Sequence, residues 1–116
     1  MIVHIVLFRP RPDLPPDEAG DLLKAFELAL AGIPVIRRAL VGRRVVIGRG
    51  YEDKMRTDFP YAAVLEFDDV NGLRQYLDHP AHNDVGGAIF AAAEDILVYD
   101  FAMEAGPGAA ARLDTR

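Results

Sequence analysis

The sequence predicts an α+β domain of β-α-β-β-α-β order, the ferredoxin-like sandwich, built to pair face to face with a second copy of itself. Three observations lead there. Strand-type and helix-type hydrophobic periods succeed one another in that order. The first and last strand-type runs are apolar on both faces. Two helices can cover only one face of a four-stranded sheet, so the other apolar face needs a partner, and a second copy supplies a matching one.

Residues 2–8 (Ile-Val-His-Ile-Val-Leu-Phe) are an unbroken β-branched and aromatic run, ended by Arg9-Pro10-Arg11-Pro12 because proline cannot continue a ladder. Pro15 and Pro16 then open a helix, with Asp17 and Glu18 in its first turn, where carboxylates suit the helix dipole. Ala19, Leu22, Leu23, Phe26 and Leu30 make its apolar stripe; Gly32 and Pro34 stop it. Residues 36–47 have a mixed strand pattern rich in Val, Ile and Arg, and Gly48, Gly50 and Pro60 punctuate a loop over residues 48–60. The third strand covers residues 61–67, with Tyr61, Ala63, Leu65 and Phe67 on one face and Ala62, Val64 and Glu66 on the other. Asp68 and Asp69 cap a short helix with the stripe Val70, Leu73 and Leu77; Pro80 restarts a helix that runs to about Ala93. Residues 96–103 form the last strand. Residues 1–103 are thus the domain, and residues 104–116, Gly- and Ala-rich without periodicity, read as a flexible tail.

The 116 residues bound a single core. With no cysteine, the chain has no disulfide, thiolate metal site or cysteine nucleophile. No apolar run approaches the roughly 20 residues that span a bilayer, so no membrane association is expected. The start of the chain does not resemble a signal peptide, which makes a cytoplasmic location the default expectation. A net charge of −5 argues against a nucleic-acid partner, because phosphate neutralisation needs a surplus of Lys and Arg. Arg37, Arg38, Arg43, Arg44 and Arg49 nevertheless fall within thirteen residues. They read either as a patch for an anionic ligand or as charge that protects an edge strand from aggregation, and the second is the commoner use.

The opening Val3-His4-Ile5-Val6-Leu7-Phe8 resembles the start of stress-responsive dimeric A/B barrel proteins. So do Leu65-Glu66-Phe67-Asp68-Asp69 and the stretch Leu73-Arg74-Gln75-Tyr76-Leu77-Asp78-His79-Pro80-Ala81-His82. Ile33-Pro34 and Gly42 before a basic strand fit as well. The resemblance covers about residues 1–103 and implies a dimer in which two sheets close into a dimeric α/β barrel. It implies no single activity: the family includes stress-associated proteins and a plant cyclase that folds a linear poly-β-keto thioester by aldol condensation. The fold is also similar to that of haem-degrading enzymes that rely on a tryptophan, which this chain lacks. No cofactor is implied.

By that resemblance, Tyr76 and His82 match the cyclase's tyrosine and histidine, and His4 matches a further pocket histidine. The third strand begins with Tyr61 where the cyclase has another histidine. The residues support a site independently. If Pro80 is the first helical position, His79 lies at the cap and His82 in the first turn, where the helix dipole disfavours an imidazolium and keeps a general base neutral. Tyr76 is a hydrogen-bond donor suited to a carbonyl or enolate oxygen. Candidate catalytic residues are therefore His82 and Tyr76, with His4, Tyr61 and His79 as substrate-binding candidates. Each also has a structural use: His79 as a helix cap, Tyr76 as core, His82 in a turn bond, His4 as a satisfied core histidine. The spacing of His79, His82 and Asp84 is loose and lacks a fourth ligand, so no metal site is expected. The expected function is a cofactor-free lyase or cyclase acting on a small carbonyl or polyketide-like compound. The alternative is a non-catalytic dimer that binds a small apolar ligand or serves structurally under stress.

Overall fold

The computed structural model describes residues 1–113. The chain runs β1 (Ile2–Pro10), α1 (Pro16–Gly32), β2 (Arg38–Arg43), β3 (Tyr61–Phe67), α2 (Val70–Asp78), α3 (Pro80–Ala92), β4 (Ala93–Ala102) and a terminal turn of helix, α4 (Ala109–Leu113). One sheet of order β2-β3-β1-β4 is antiparallel throughout, which is the ferredoxin-like α+β fold that the order of elements predicts.

Register decides which residues share a face, because directly paired residues of antiparallel strands point the same way. His4 stands opposite Leu65 and Asp100, Val6 opposite Ala63 and Val98, and Phe8 opposite Tyr61 and Ile96. This set faces the helices. The alternate set (Ile5 opposite Val64 and Tyr99, Leu7 opposite Ala62 and Leu97, Leu40 opposite Val64) forms the uncovered face. That face leaves Leu40, Tyr99 and Phe101 about half exposed. The period of two thus places apolar side chains on both sides of the sheet, although helices cover only one.

The packed core gathers at one end of the covered face. Ala29 and Ile33 of the α1 region, Leu65 and Phe67 of β3, Leu73 and Tyr76 of α2 and Val85 of α3 are buried against one another. Towards the other end, small residues such as Ala63 and Gly86 leave space between the layers that the larger side chains of α1 do not fill. The sandwich is therefore close-packed at one end and hollow at the other.

Several boundaries differ from the expected ones. The strand expected over residues 36–47 keeps only Arg38–Arg43 in the sheet. Its last rung is the Arg44 N–H to the Pro60 carbonyl, 2.9 Å, and Pro60 has no N–H to return. Beyond it, Gly48 turns with a φ of 78° and a 3₁₀ turn spans Gly50–Lys54. β1 continues past Phe8 to Pro10, because β4 still flanks it there and Pro10 sits at a register shift, where a strand tolerates proline. β4 begins correspondingly early, at Ala93, directly after α3. In the segment expected to be a flexible tail, Arg112 reaches back to the Glu104 carboxylate at 3.1 Å and the Ala105 carbonyl at 2.6 Å, closing a turn over α4. Residues 114–116 of that segment lie outside the described residues.

The arginine-rich stretch is largely paired. Arg37 binds Asp68 at 2.7 Å, Arg44 binds Asp58 at 2.6 Å, and Arg38 lies 4.0 Å from Glu66. The Asp68 carboxylate raises the Arg37 pKa by hydrogen bond and by charge. Of the two expected caps of α2, Asp69 takes the Gly72 N–H at 2.9 Å, while Asp68 goes to Arg37.

Candidate functional site

Once Asp69 starts α2, the helical period turns Leu73, Tyr76 and Leu77 towards the sheet. His79 then ends one helix and begins the next. Its backbone N–H donates to the Tyr76 carbonyl at 3.2 Å, and its Nδ1 accepts the Ala81 N–H at 3.0 Å. Pro80 follows, where a missing N–H costs nothing. This break brings His82 back beneath the end of α2, with Nδ1 3.0 Å from the Leu77 carbonyl oxygen. A carbonyl only accepts, so Nδ1 carries the proton and the Nε2 lone pair of the neutral ring is left uncommitted. No group among the described residues engages Nε2.

Tyr76 is the centre of an aromatic cluster. Its ring lies 5.4 Å from Phe67, 5.6 Å from His4 and 4.7 Å from His82, centroid to centroid, the two histidines meeting it edge to face. Only 3% of the residue is exposed, yet no group among the described residues bonds its hydroxyl. Among the described residues no fully enclosed side-chain polar atom lacks a partner. The hydroxyl therefore opens on the one space beside it, the hollow end of the sandwich.

That space is a cavity of about 620 Å³. His4, Tyr76 and His82 line it where it meets the packed core, and Val6, Leu22, Phe26, Ile89 and Val98 are among its apolar walls. Tyr61 lines it as well, one ring away from Phe8 at 6.4 Å. The structure thus brings together four of the five candidate residues. His79 is not among the lining residues: its ring serves as the cap of α3.

Burial sets the protonation states. It pushes the Tyr76 phenol up to about 12, so the hydroxyl remains a donor throughout the physiological range. It lowers the His82 pKa; the bond to Leu77 works against that shift and the nearby His4 adds to it. The direction agrees with the sequence argument from the helix N-terminus, but the main cause is desolvation of the ring. A neutral base and a protonated phenol stand side by side as a result.

Sequence reasoning missed Asp100. Its carboxylate lies 2.5 Å from His4 Nδ1 across the β1–β4 ladder. The carboxylate accepts, so Nδ1 is the donor of this bond. The available signal was that Asp100 alone carries charge within residues 96–103, an otherwise apolar run. Among the described residues no group of three or more His, Asp or Glu side chains is placed to hold a metal ion, and no helix is long and apolar enough to cross a membrane.

Comparison with curated proteins gave no match. Solved structures share the fold. A dimeric ferredoxin-like protein of unknown function from Thermobifida fusca is 27% identical, with a TM-score of 0.70 over 88% of this chain and 90% of that one. A hydroxynitrile lyase from Passiflora edulis is 19% identical, with a TM-score of 0.69 over 91% and 96% of the two chains. A cofactor-independent oxygenase from Streptomyces nogalater is 16% identical, with a TM-score of 0.65 over 91% and 95%. The last two likenesses concern the fold alone, and the varied activities of these proteins leave the chemistry to be argued from the site. Residues 2–103 match the model of the Stress Responsive A/B Barrel Domain, nearly the whole chain. The chain belongs to the stress-responsive A/B barrel domain family.

Proposed function

We propose that this protein is a cofactor-free lyase or cyclase acting on a small carbonyl or polyketide-like compound, with His82 as general base and Tyr76 as hydrogen-bond donor. One observation carries the reading: two uncommitted polar groups, His82 Nε2 and the Tyr76 hydroxyl, adjoin one apolar cavity. In the cyclase direction His82 Nε2 takes a proton from the carbon next to a carbonyl. The electron pair moves onto the carbonyl oxygen, where the Tyr76 hydroxyl stabilises the enolate. The enolate carbon attacks a second carbonyl of the same chain, and the resulting alkoxide recovers the proton from His82. Read backwards, the same steps cleave a carbon–carbon bond. Apolar walls strengthen both polar contacts by excluding water.

The same reading makes the protein a homodimer joined through the uncovered sheet faces. The half-exposed Leu40, Tyr99 and Phe101 support it, as does the dimeric state of the Thermobifida neighbour. It retains the sequence-based expectation of a cytoplasmic location.

The test is turnover of a linear 3,5,7-trioxo thioester, in which attack of C2 on the C7 carbonyl closes a six-membered ring, followed by release of the cyclised product. Native protein is expected to cyclise it faster than buffer, and His82→Ala to return it to the buffer rate. Equal rates for native and variant protein would reject the catalytic role. A non-catalytic binding protein is the second reading, favoured by the size of the cavity, which suits a drug-sized ligand. It predicts that the compound binds and is recovered unchanged.

A further inference from the structure

The end of the cavity away from His82 has its own chemistry. Among the described lining residues, Arg43 is the one that carries a fixed charge. Three of its neighbours in the arginine-rich stretch are held by or lie beside carboxylates: Arg37 by Asp68, Arg44 by Asp58, and Arg38 beside Glu66. Arg43 has no carboxylate partner among the described residues. Its guanidinium instead lies over the Tyr61 ring, 5.5 Å from the centroid. The acid that shares this rim, Asp58, is committed to Arg44 at 2.6 Å. Arg43 and Tyr61 also line a shallow recess with Arg44, Val46, Asp58 and Pro60, which places them where the cavity meets solvent.

Register gives the separation. Arg43 pairs with Tyr61 and Tyr61 with Phe8, whereas Asp100 and Leu65 pair with His4. Phe8 and His4 are four residues apart on one strand, a span of about 13 Å at the usual strand rise. Between them the wall is apolar: Val6, Ala63 and Val98 from the sheet, Phe26 and Ile89 from the helices. A polar acid–base pair thus stands at one end and an unpaired guanidinium at the other.

We propose that the cavity takes an elongated amphipathic anion, with a carboxylate or phosphate head at Arg43 and an apolar body reaching towards Tyr76 and His82. The planar guanidinium suits both heads, since it donates two parallel N–H groups to paired oxygens. The contact with the Tyr61 ring steadies it at the rim and limits the rotamer freedom lost on binding. Arg43 is then the residue that selects acids, or esters of a phosphate-bearing carrier, over neutral molecules of equal length. This assignment rests on the proposed function only in taking the same cavity as the substrate site; anion recognition itself does not need His82 to be a base.

Calorimetric titration with decanoate, decyl phosphate and 1-decanol tests it. At least one anion should bind native protein about tenfold or more tightly than decanol, as expected of a charge-assisted hydrogen bond at a partly solvated rim. Preference for one anion over the other identifies the head group. R43Q should bring the anions down to the affinity of decanol and leave decanol unchanged, while H82A should keep the anion preference. Salt supplies a second measure that needs no variant: anion affinity should fall with ionic strength and decanol affinity should not. Equal binding of all three probes by native protein, binding of none, or an undiminished anion preference in folded R43Q overturns the proposal. Loss of the preference in R43Q together with undiminished turnover in H82A would reject the catalytic reading and uphold this one.

Discussion

Tyr76 and His82 meet edge to face with 4.7 Å between ring centroids, and neither polar tip that they bring to the cavity is spent on the protein. The bond from His82 Nδ1 to the Leu77 carbonyl gives that histidine a structural duty and a chemical one at once. The two duties can be separated. His82→Ala should cost about 1 kcal/mol of stability through the lost hydrogen bond. It should also lower turnover by a factor of about 10²–10⁴. Tyr76→Phe deletes a hydroxyl with no protein partner, so its melting temperature should stay close to native while turnover falls. Thermal unfolding beside single-turnover kinetics checks both. A stability loss in His82→Ala with turnover intact would leave only the structural duty.

The lowered pKa of His82 gives stability a pH dependence of known sign. The unfolded value is about 6.5 and the folded value lies below it, so the unfolded chain takes up the proton first as pH falls. The contribution of His82 is therefore complete above about pH 6.5 and declines below it, until the folded-state value is passed. Urea unfolding of native protein and His82→Gln across that range should show the native curve falling more steeply on the acid side. Parallel curves would mean that the ring is not buried neutral.

His4 Nδ1 donates to Asp100. Long-range ¹H–¹⁵N spectra should show a proton on His4 Nδ1. Asp100→Asn, whose amide oxygen can still accept, should keep it there, and Asp100→Leu should release it. An unchanged His4 signal in Asp100→Leu would show that the carboxylate does not set the ring.

The dimer reading can be tested where a lone protomer would be indifferent. Tyr99 is 55% exposed on the uncovered sheet face, so Tyr99→Asp should be nearly neutral in a monomer. Between two sheets it would bury a charge, in an interface expected to exceed about 1,200 Å² in total. Light scattering should show aggregation or unfolded chain for Tyr99→Asp and for Ile5→Asp. A dimer that persists undisturbed in both variants would refute pairing through the sheets, and a stable, soluble monomer would show that the apolar face needs no cover.

Truncation before Gly106 should leave the melting temperature nearly unchanged. The contacts that Arg112 makes with Glu104 and Ala105 close a turn within the segment, and both charged side chains are about half exposed. A loss of several degrees would show that the segment docks on the domain or on a second copy.

The elements and their order were legible in the sequence because they rest on local rules. A period of two from Tyr61 to Phe67 and a proline at position 80 after a cap each act over a few residues, and the structure carries both as expected. Even His82 and Tyr76 could be singled out, since their spacing around His79-Pro80 is a local matter. Asp100 was not, because its meaning depends on a partner 96 residues away, reached only through the β1–β4 register. The same holds for Arg43: along the chain it is one of five arginines, and only the tertiary arrangement places it alone of the five in the cavity wall. The length of β2 was likewise undecided locally, since a strand ends where its neighbour does, at Tyr61 and Pro60. Fold class and the apolar character of both sheet faces follow from the order of residues, because propensity and periodicity are short-range. Which polar atoms are left uncommitted beside a cavity is settled in three dimensions, because that depends on long-range register and on which side chains fail to fill the space between the layers.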